Sequence, residues 1–151
     1  MMRIAIVVAI VSACSSREPA PTSIVFVCEH GSAKSVVAAA LFNDLAAKRG
    51  LPWRAVARGL EPDPALAPAV VRGLAEDGLT SPVAAPVALS ADDRRAPRVI
   101  LLGDEQRDVG PHGQTWTAIP PVSQDYARSR DAIRVRVAQL IEQLRTPPKH
   151  E

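Results

Sequence analysis

From residue 23 onward the chain alternates short β-branched apolar runs with segments of helical period. Ile24-Val25-Phe26-Val27 is a continuous apolar run of strand length. Residues 36–49 place Val37, Ala40, Leu41, Leu45 and Ala46 at helical spacing, and Gly50 supplies the stop. Residues 53–57 predict a second strand, with Gly59 and Pro62-Asp63-Pro64 in the turn that follows. Residues 66–77 predict a helix that tolerates Pro68 in its first turn and ends at Gly78. Prolines break residues 80–88 into loop, and Ser90 is a good N-cap for a short helix over 91–96. Arg98-Val99-Ile100-Leu101-Leu102-Gly103 predicts a buried parallel strand, and residues 115–118 a short last one. Residues 124–145 predict a long final helix with Ile133, Val137, Leu140, Ile141 and Leu144 on one face. Four strands alternating with helices imply right-handed βαβ units: an α/β, three-layer sandwich around a four-stranded parallel sheet. Ligands of such sheets bind outside the carboxyl ends of the strands, and the loop after Val27 emerges there.

The 151 residues suit one domain, expected over residues 23–146 with a frayed tail at 147–151. Aromatic residues make up only 3% of the chain, so Ala, Val, Leu and Ile must build the core. The net charge of +2, with no basic cluster interleaved with aromatics, argues against a nucleic-acid surface. Arg128, Arg130, Arg134 and Arg136 read as a solvated helix face partnered by Asp125 and Asp131.

The N-terminus has a different character. Arg3 and the apolar residues 4–11 are too short to span a bilayer and match a secretory leader. They end in Val11-Ser12-Ala13-Cys14, followed by the polar, proline-containing Ser15-Ser16-Arg17-Glu18-Pro19-Ala20-Pro21. This resembles the lipobox of bacterial lipoproteins. The resemblance implies a signal peptide over residues 1–13, a lipid on Cys14, and a tether over 14–22 that holds the domain in the periplasm. Ser15 after the cysteine implies outer-membrane anchoring in a Gram-negative cell. The other reading of residues 4–11 is a buried first strand, against which the polar run and the better strand at 24–27 both count.

The segment with the densest chemistry is Cys28-Glu29-His30-Gly31-Ser32-Ala33-Lys34-Ser35. A strand, a tight loop and a helix start, in that order, converge backbone N–H groups on one point, and the helix dipole favours an anion there. A cysteine at the mouth of such a cradle is favoured as the nucleophilic thiolate. With Cys14 lipidated, Cys28 is the single thiol left of the two cysteines, which leaves no intrachain disulfide. His30, His112 and His150 are isolated, so no metal site is expected, and nothing in the sequence calls for a cofactor.

Ile24-Val25-Phe26-Val27-Cys28, then five residues, a cation and Ser35 resemble the phosphate loop of the low-molecular-weight protein tyrosine phosphatases and the related thioredoxin-coupled arsenate reductases. The likeness extends, less specifically, to residues 54–62, 70–79, 99–102 and 116–144. It implies a phosphatase-like fold and phosphomonoester hydrolysis through a cysteinyl-phosphate, with a phosphorylated substrate or a phosphate-like oxyanion as ligand. It makes Cys28 the nucleophile, Ser35 the hydrogen-bond partner of its thiolate, and Glu29, His30, Gly31, Ser32, Ala33 and Lys34 the oxyanion cradle. Gly31 supplies the left-handed backbone that the family obtains from Asn or Gly.

The chain departs from the pattern in several places. Lys34 stands where the family has arginine, which keeps the charge but loses the planar fork. The Asp-Pro acid of the family's last loop is missing from Ala118-Ile119-Pro120-Pro121-Val122-Ser123-Gln124-Asp125; Asp125, the sole acid there, is the candidate catalytic acid, with an N-cap its plainer role. The one Asp-Pro of the chain, Asp63-Pro64, falls in the second-strand turn. Glu29 and His30 put a carboxylate and an imidazole within the loop. There are no resolving cysteines after Cys28, so an arsenate-reductase relay would need an external thiol. Oxyanion or phosphoprotein binding without turnover is therefore the alternative to hydrolysis.

Overall fold

The computed structural model describes residues 22–146. The expected leader, the lipid site at Cys14, the tether up to residue 21 and the tail at 147–151 lie outside them. Four strands form a single parallel sheet: β1 (Thr22–Cys28), β2 (Trp53–Gly59), β3 (Arg98–Leu102) and β4 (Gly113–Trp116), in the order β2-β1-β3-β4. Three helices join them: α1 (Lys34–Lys48), α2 (Pro68–Glu76) and α3 (Tyr126–Arg145). The predicted strands and the three longer helices are all present. Their ends differ by a few residues, the most consequential shift being that α1 begins at Lys34 rather than at 36.

The alternation of side chains along each strand sorts two cores. Ile24, Phe26, Ala55, Ala57, Ile100, Leu102 and Trp116 point to one face, where α1, α2 and α3 cover them. Phe26 sits at the centre, its ring 6.1 Å from that of Phe42 on α1 and 5.6 Å from that of Trp116. Val25, Val27, Val99 and Leu101 point to the other face with Val109. That layer is thin, closed by loop residues such as Leu60, Leu89 and Ala96 and by a single 3-10 turn, Asp93–Arg95. The turn is the remnant of the helix predicted over 91–96. Ser90 still caps it, with Oγ accepting from Asp93 N–H at 3.0 Å.

The free edge of β2 is covered by a side chain: Asn43 of α1 donates to Ala55 C=O at 3.0 Å and accepts from Ala55 N–H at 2.8 Å. An amide clamp of this kind satisfies an edge that would otherwise recruit another strand. Gly50 and Gly78, at φ +64° and +67°, end α1 and α2. Tyr126 at the start of α3 lies flat over Gly73, where even a methyl group would fall 2.3 Å from its ring, and donates to Asp77 at 2.9 Å. Burial, helped by the Asp77 carboxylate, pushes the Tyr126 hydroxyl well above the usual phenol range, so it stays a proton donor.

Candidate active site

The sheet order puts β2 on one side of β1 and β3 on the other, so the chain reverses direction at the β1/β3 boundary. Crevices form at such switch points, beyond the strands' carboxyl ends. A cleft of about 740 Å³ opens there. Cys28, Glu29, His30, Ser32, Ala33 and Lys34 line one side, with Asp63 and Ala67 beside them. Leu101 to Glu105, Arg107 and Pro121 to Ser123 line the other.

The loop from Cys28 to Ser35 is held from behind. Parallel pairing of β1 with β2 sets a constant offset, Thr22 opposite Trp53 and Cys28 opposite Gly59. The pairing continues past the sheet. Leu60, Glu61, Asp63 and Ala67 donate their N–H groups to the carbonyls of Cys28, Glu29, His30 and Ser32 at 2.8–3.1 Å. Ala33 C=O accepts from Val36 and Val37. The loop's carbonyls are thus turned back into the protein. Its amides are not: the N–H groups of residues 29–35 donate to no protein acceptor among the described residues. The helix start adds to this, because Ala33 at the N-cap offers no capping side chain and the first turn holds no acidic residue. Seven unmatched donors at the positive end of a 15-residue helix make an oxyanion receptor.

Two glycines make the backing possible. Gly31 has φ +60°, and a Cβ there would fall 2.8 Å from Gly59 N. A Cβ on Gly59 would fall 2.7 Å from Gly31 N. The two backbones are in direct contact, and neither position has room for a side chain.

Cys28 closes β1 almost fully buried, with its Sγ 3.1 Å from the Oγ of the buried Ser35. A thiolate accepts from that hydroxyl. Lys34 lines the cleft from the first turn of α1 and forms no ion pair among the described residues. Glu29 turns away from the cradle, its carboxylate 3.6 Å from the Arg107 guanidinium on the far wall.

The loop residues expected at the site, Cys28 to Ser35, are therefore brought together, with Gly31 acting from beneath rather than lining the cleft. Asp125 is not with them. It caps α3, its carboxylate accepting from Arg128 N–H at 2.9 Å, and it does not line the cleft. Helix capping draws it to the loop's far end. Among the acids that do reach the cleft is Asp63, from the turn after β2 where the sequence puts it. It accepts from Ser32 Oγ at 2.7 Å and lies 3.7 Å from His30 Nδ1. The strand offset could have found it, since Ser32 and Asp63 keep the same separation as Cys28 and Gly59. Arg107 was also missed, because it sits in a loop with no periodic signal.

One ion pair supports the backing segment from below. Arg58, next to Gly59, donates to Asp93 at 2.8 Å, with both side chains largely buried. Burial alone would raise the Asp93 carboxyl, but hydrogen bonds from Arg58 and Ser90 and the Arg58 charge outweigh it and hold the group below the usual carboxylate range. Among the described residues no three His, Cys, Asp or Glu side chains are grouped to hold a metal ion, and no helix is long and apolar enough to cross a membrane.

A family model, low molecular weight phosphotyrosine protein phosphatase, matches residues 23–108. Solved structures share the architecture. An arsenate reductase from Archaeoglobus fulgidus DSM 4304 is 28% identical, with 79% of this chain and 98% of that one covered at a TM-score of 0.66. An arsenate reductase in its phosphate-binding state is 21% identical, with 82% and 98% covered at 0.66. The low molecular weight protein tyrosine phosphatase from T. tengcongensis is 16% identical, with 81% and 99% covered at 0.69. The last two speak to the fold alone. No curated protein matches the chain.

Proposed function

The chain belongs to the low molecular weight phosphotyrosine protein phosphatase family, and from that premise we propose that it hydrolyses phosphomonoesters through a cysteinyl-phosphate intermediate. One observation carries the reading. Cys28 Sγ sits beside Ser35 Oγ at the base of a loop whose amides from 29 to 35 are all unmatched, so nucleophile and oxyanion receptor share one centre. In the first step the Cys28 thiolate attacks phosphorus, and the S–P bond forms as the ester P–O bond breaks. The loop amides and Lys34 stabilise the equatorial oxygens as charge builds on them. In the second step water attacks phosphorus and the thiolate leaves, accepting the Ser35 hydroxyl as it regains its charge.

The reading is tested with p-nitrophenyl phosphate. Wild type turns it over and passes through a covalent phosphocysteine, while Cys28→Ser does neither. Iodoacetate modifies Cys28 rapidly near neutral pH, and vanadate or phosphate protects it. An inert thiol would remove the reading. A second reading, oxyanion binding without turnover, is favoured by Lys34, which lacks the bidentate fork. It predicts anion protection of Cys28 with no phosphocysteine. Reduction of arsenate would require an external thiol, since Cys28 is the one cysteine among the described residues.

The proposed setting is the periplasm, with the domain tethered through a lipid on Cys14. A Cys14→Ser variant is then released from membranes; unchanged membrane fractionation refutes the anchor.

A further inference from the structure

We infer that His30, oriented by Asp63, is the proton donor to the leaving group and the base that activates water, in place of a carboxylic acid from the last loop. The inference rests on the hydrolytic reading of the same cleft. The last loop brings Pro121, Val122 and Ser123 to the cleft and no acid. Four carboxylates do line it, and each is engaged. Asp104 accepts from Ala118 N–H at 2.9 Å. Glu29 and Glu105 flank the Arg107 guanidinium at 3.6 and 3.3 Å. Asp63 takes the Ser32 hydroxyl on one oxygen and faces His30 with the other.

His30 is different. Its Nδ1 lies 3.3 Å from the Glu61 carbonyl, an acceptor only, so Nδ1 carries a proton. Asp63 Oδ1, 3.7 Å from the same nitrogen, supplies the counter-charge for an imidazolium. That fixes the tautomer and leaves Nε2 as the exchangeable position, and Nε2 has no hydrogen-bond partner among the described residues. A base oriented by a carboxylate, lining the same cleft as a nucleophile two residues earlier in the chain, is the arrangement that acid–base and nucleophilic catalysis use together. Asp63 also donates its own N–H to the His30 carbonyl, so backbone and side chain are held by one residue.

The steps balance. Imidazolium Nε2–H gives its proton to the ester oxygen as the P–O bond breaks, releasing the alcohol and leaving S-phosphocysteine and neutral His30. Neutral Nε2 then takes a proton from the water that attacks phosphorus. The S–P bond breaks, and inorganic phosphate, the thiolate and the imidazolium are restored. The charged groups that share the cleft with His30 are Glu29, Lys34 and Asp63 on its own side and Asp104, Glu105 and Arg107 across it.

The test compares two esters. p-Nitrophenolate departs with little help, whereas the phenolate of phenyl phosphate needs a proton. His30→Asn is expected to slow phenyl phosphate about 100-fold and p-nitrophenyl phosphate only a few-fold. It also removes the alkaline limb of the kcat–pH profile for phenyl phosphate. Free imidazole restores phenyl phosphate turnover to His30→Ala. Asp63→Asn, a positioning change, gives the same leaving-group bias at smaller size, about tenfold. Equal losses on both esters, or an alkaline limb that survives in His30→Asn, overturn the inference and leave the hydrolytic reading standing. So does a leaving-group bias in Asp63→Asn that His30→Asn lacks, which would make Asp63 the acid. Absence of any wild-type turnover overturns both.

Discussion

The two sides of the cleft are built in opposite ways. On the Cys28 side, backbone does the recognition. Five carbonyls are committed to Leu60, Glu61, Asp63, Ala67 and α1, and the amides are left over for a ligand. On the far side, side chains from the end of β3 and the loop after it, among them Asp104, Glu105 and Arg107, and from Pro121 to Ser123 line the cleft. The cradle therefore depends on steric detail that no side-chain change can repair. The far wall depends on individual groups that can be exchanged singly. On the proposed function, affinity for an oxyanion belongs to the first, and choice among substrates to the second.

Substitutions at the two sides should separate accordingly. The largest effect is expected at the glycine contact. Gly31→Val forces a β-branched residue to φ +60° and drives its Cβ into Gly59, at a cost of about 3 kcal/mol or more. Denaturant unfolding should show the loss, together with loss of vanadate protection of Cys28; a neutral result would mean the two backbones need not touch. Next is Lys34→Arg, which restores a planar fork. Turnover of p-nitrophenyl phosphate should rise by about 100-fold, the scale of one oxyanion donor, while melting temperature stays near wild type. No change would take Lys34 off the phosphate.

The third concerns the support beneath the cradle. Asp93 is held below its ordinary value of 3.8 in the folded state, so its contribution is complete above that pH and is lost as pH falls through the folded value. Asp93→Ala should cost about 2 kcal/mol near neutrality and flatten the loss of stability below pH 4, measured by denaturation at several pH values. An unchanged acid profile would break the link. The smallest effect is expected on the far wall. Arg107→Ala removes half-exposed pairs with Glu29 and Glu105 and should change stability by less than about 1 kcal/mol. Its signature is kinetic, a changed KM with kcat nearly kept. A large stability loss would make the wall as structural as the cradle.

Much of this was legible in the sequence because it follows local rules. The strand at 24–27, the glycine stops at 50 and 78 and the N-cap at Ser90 each act over a few residues. The phosphate loop was readable because strand, loop and helix start are contiguous. Lys34 reads as a ligand, but it stands in the first turn of α1, two residues before the helical period begins at 36. Asp63 lies in the turn where the sequence puts it, but its contact with the cleft is not legible there, because its partner Ser32 is 31 residues away and only strand pairing defines that distance. Asp125 was attractive as an acid by position alone; its carboxylate is drawn instead to the unmatched amides of α3. The second core layer was expected to be more helical, and prolines across 80–97 reduce it to a single 3-10 turn.

The pairing of β1 with β2 carries one more consequence, for the order of folding. The hydrogen bonds that turn the loop carbonyls inward lie within residues 22–67, a single βαβ unit in which α1 bridges two neighbouring strands. The far wall arrives only when β3 docks on the other edge of β1. Loop closure over shorter spans comes first, so the receptor is assembled before the cleft that surrounds it. Native-state hydrogen exchange should find the amides of β1 and α1 among the slowest, and those of β4 released at lower opening energy.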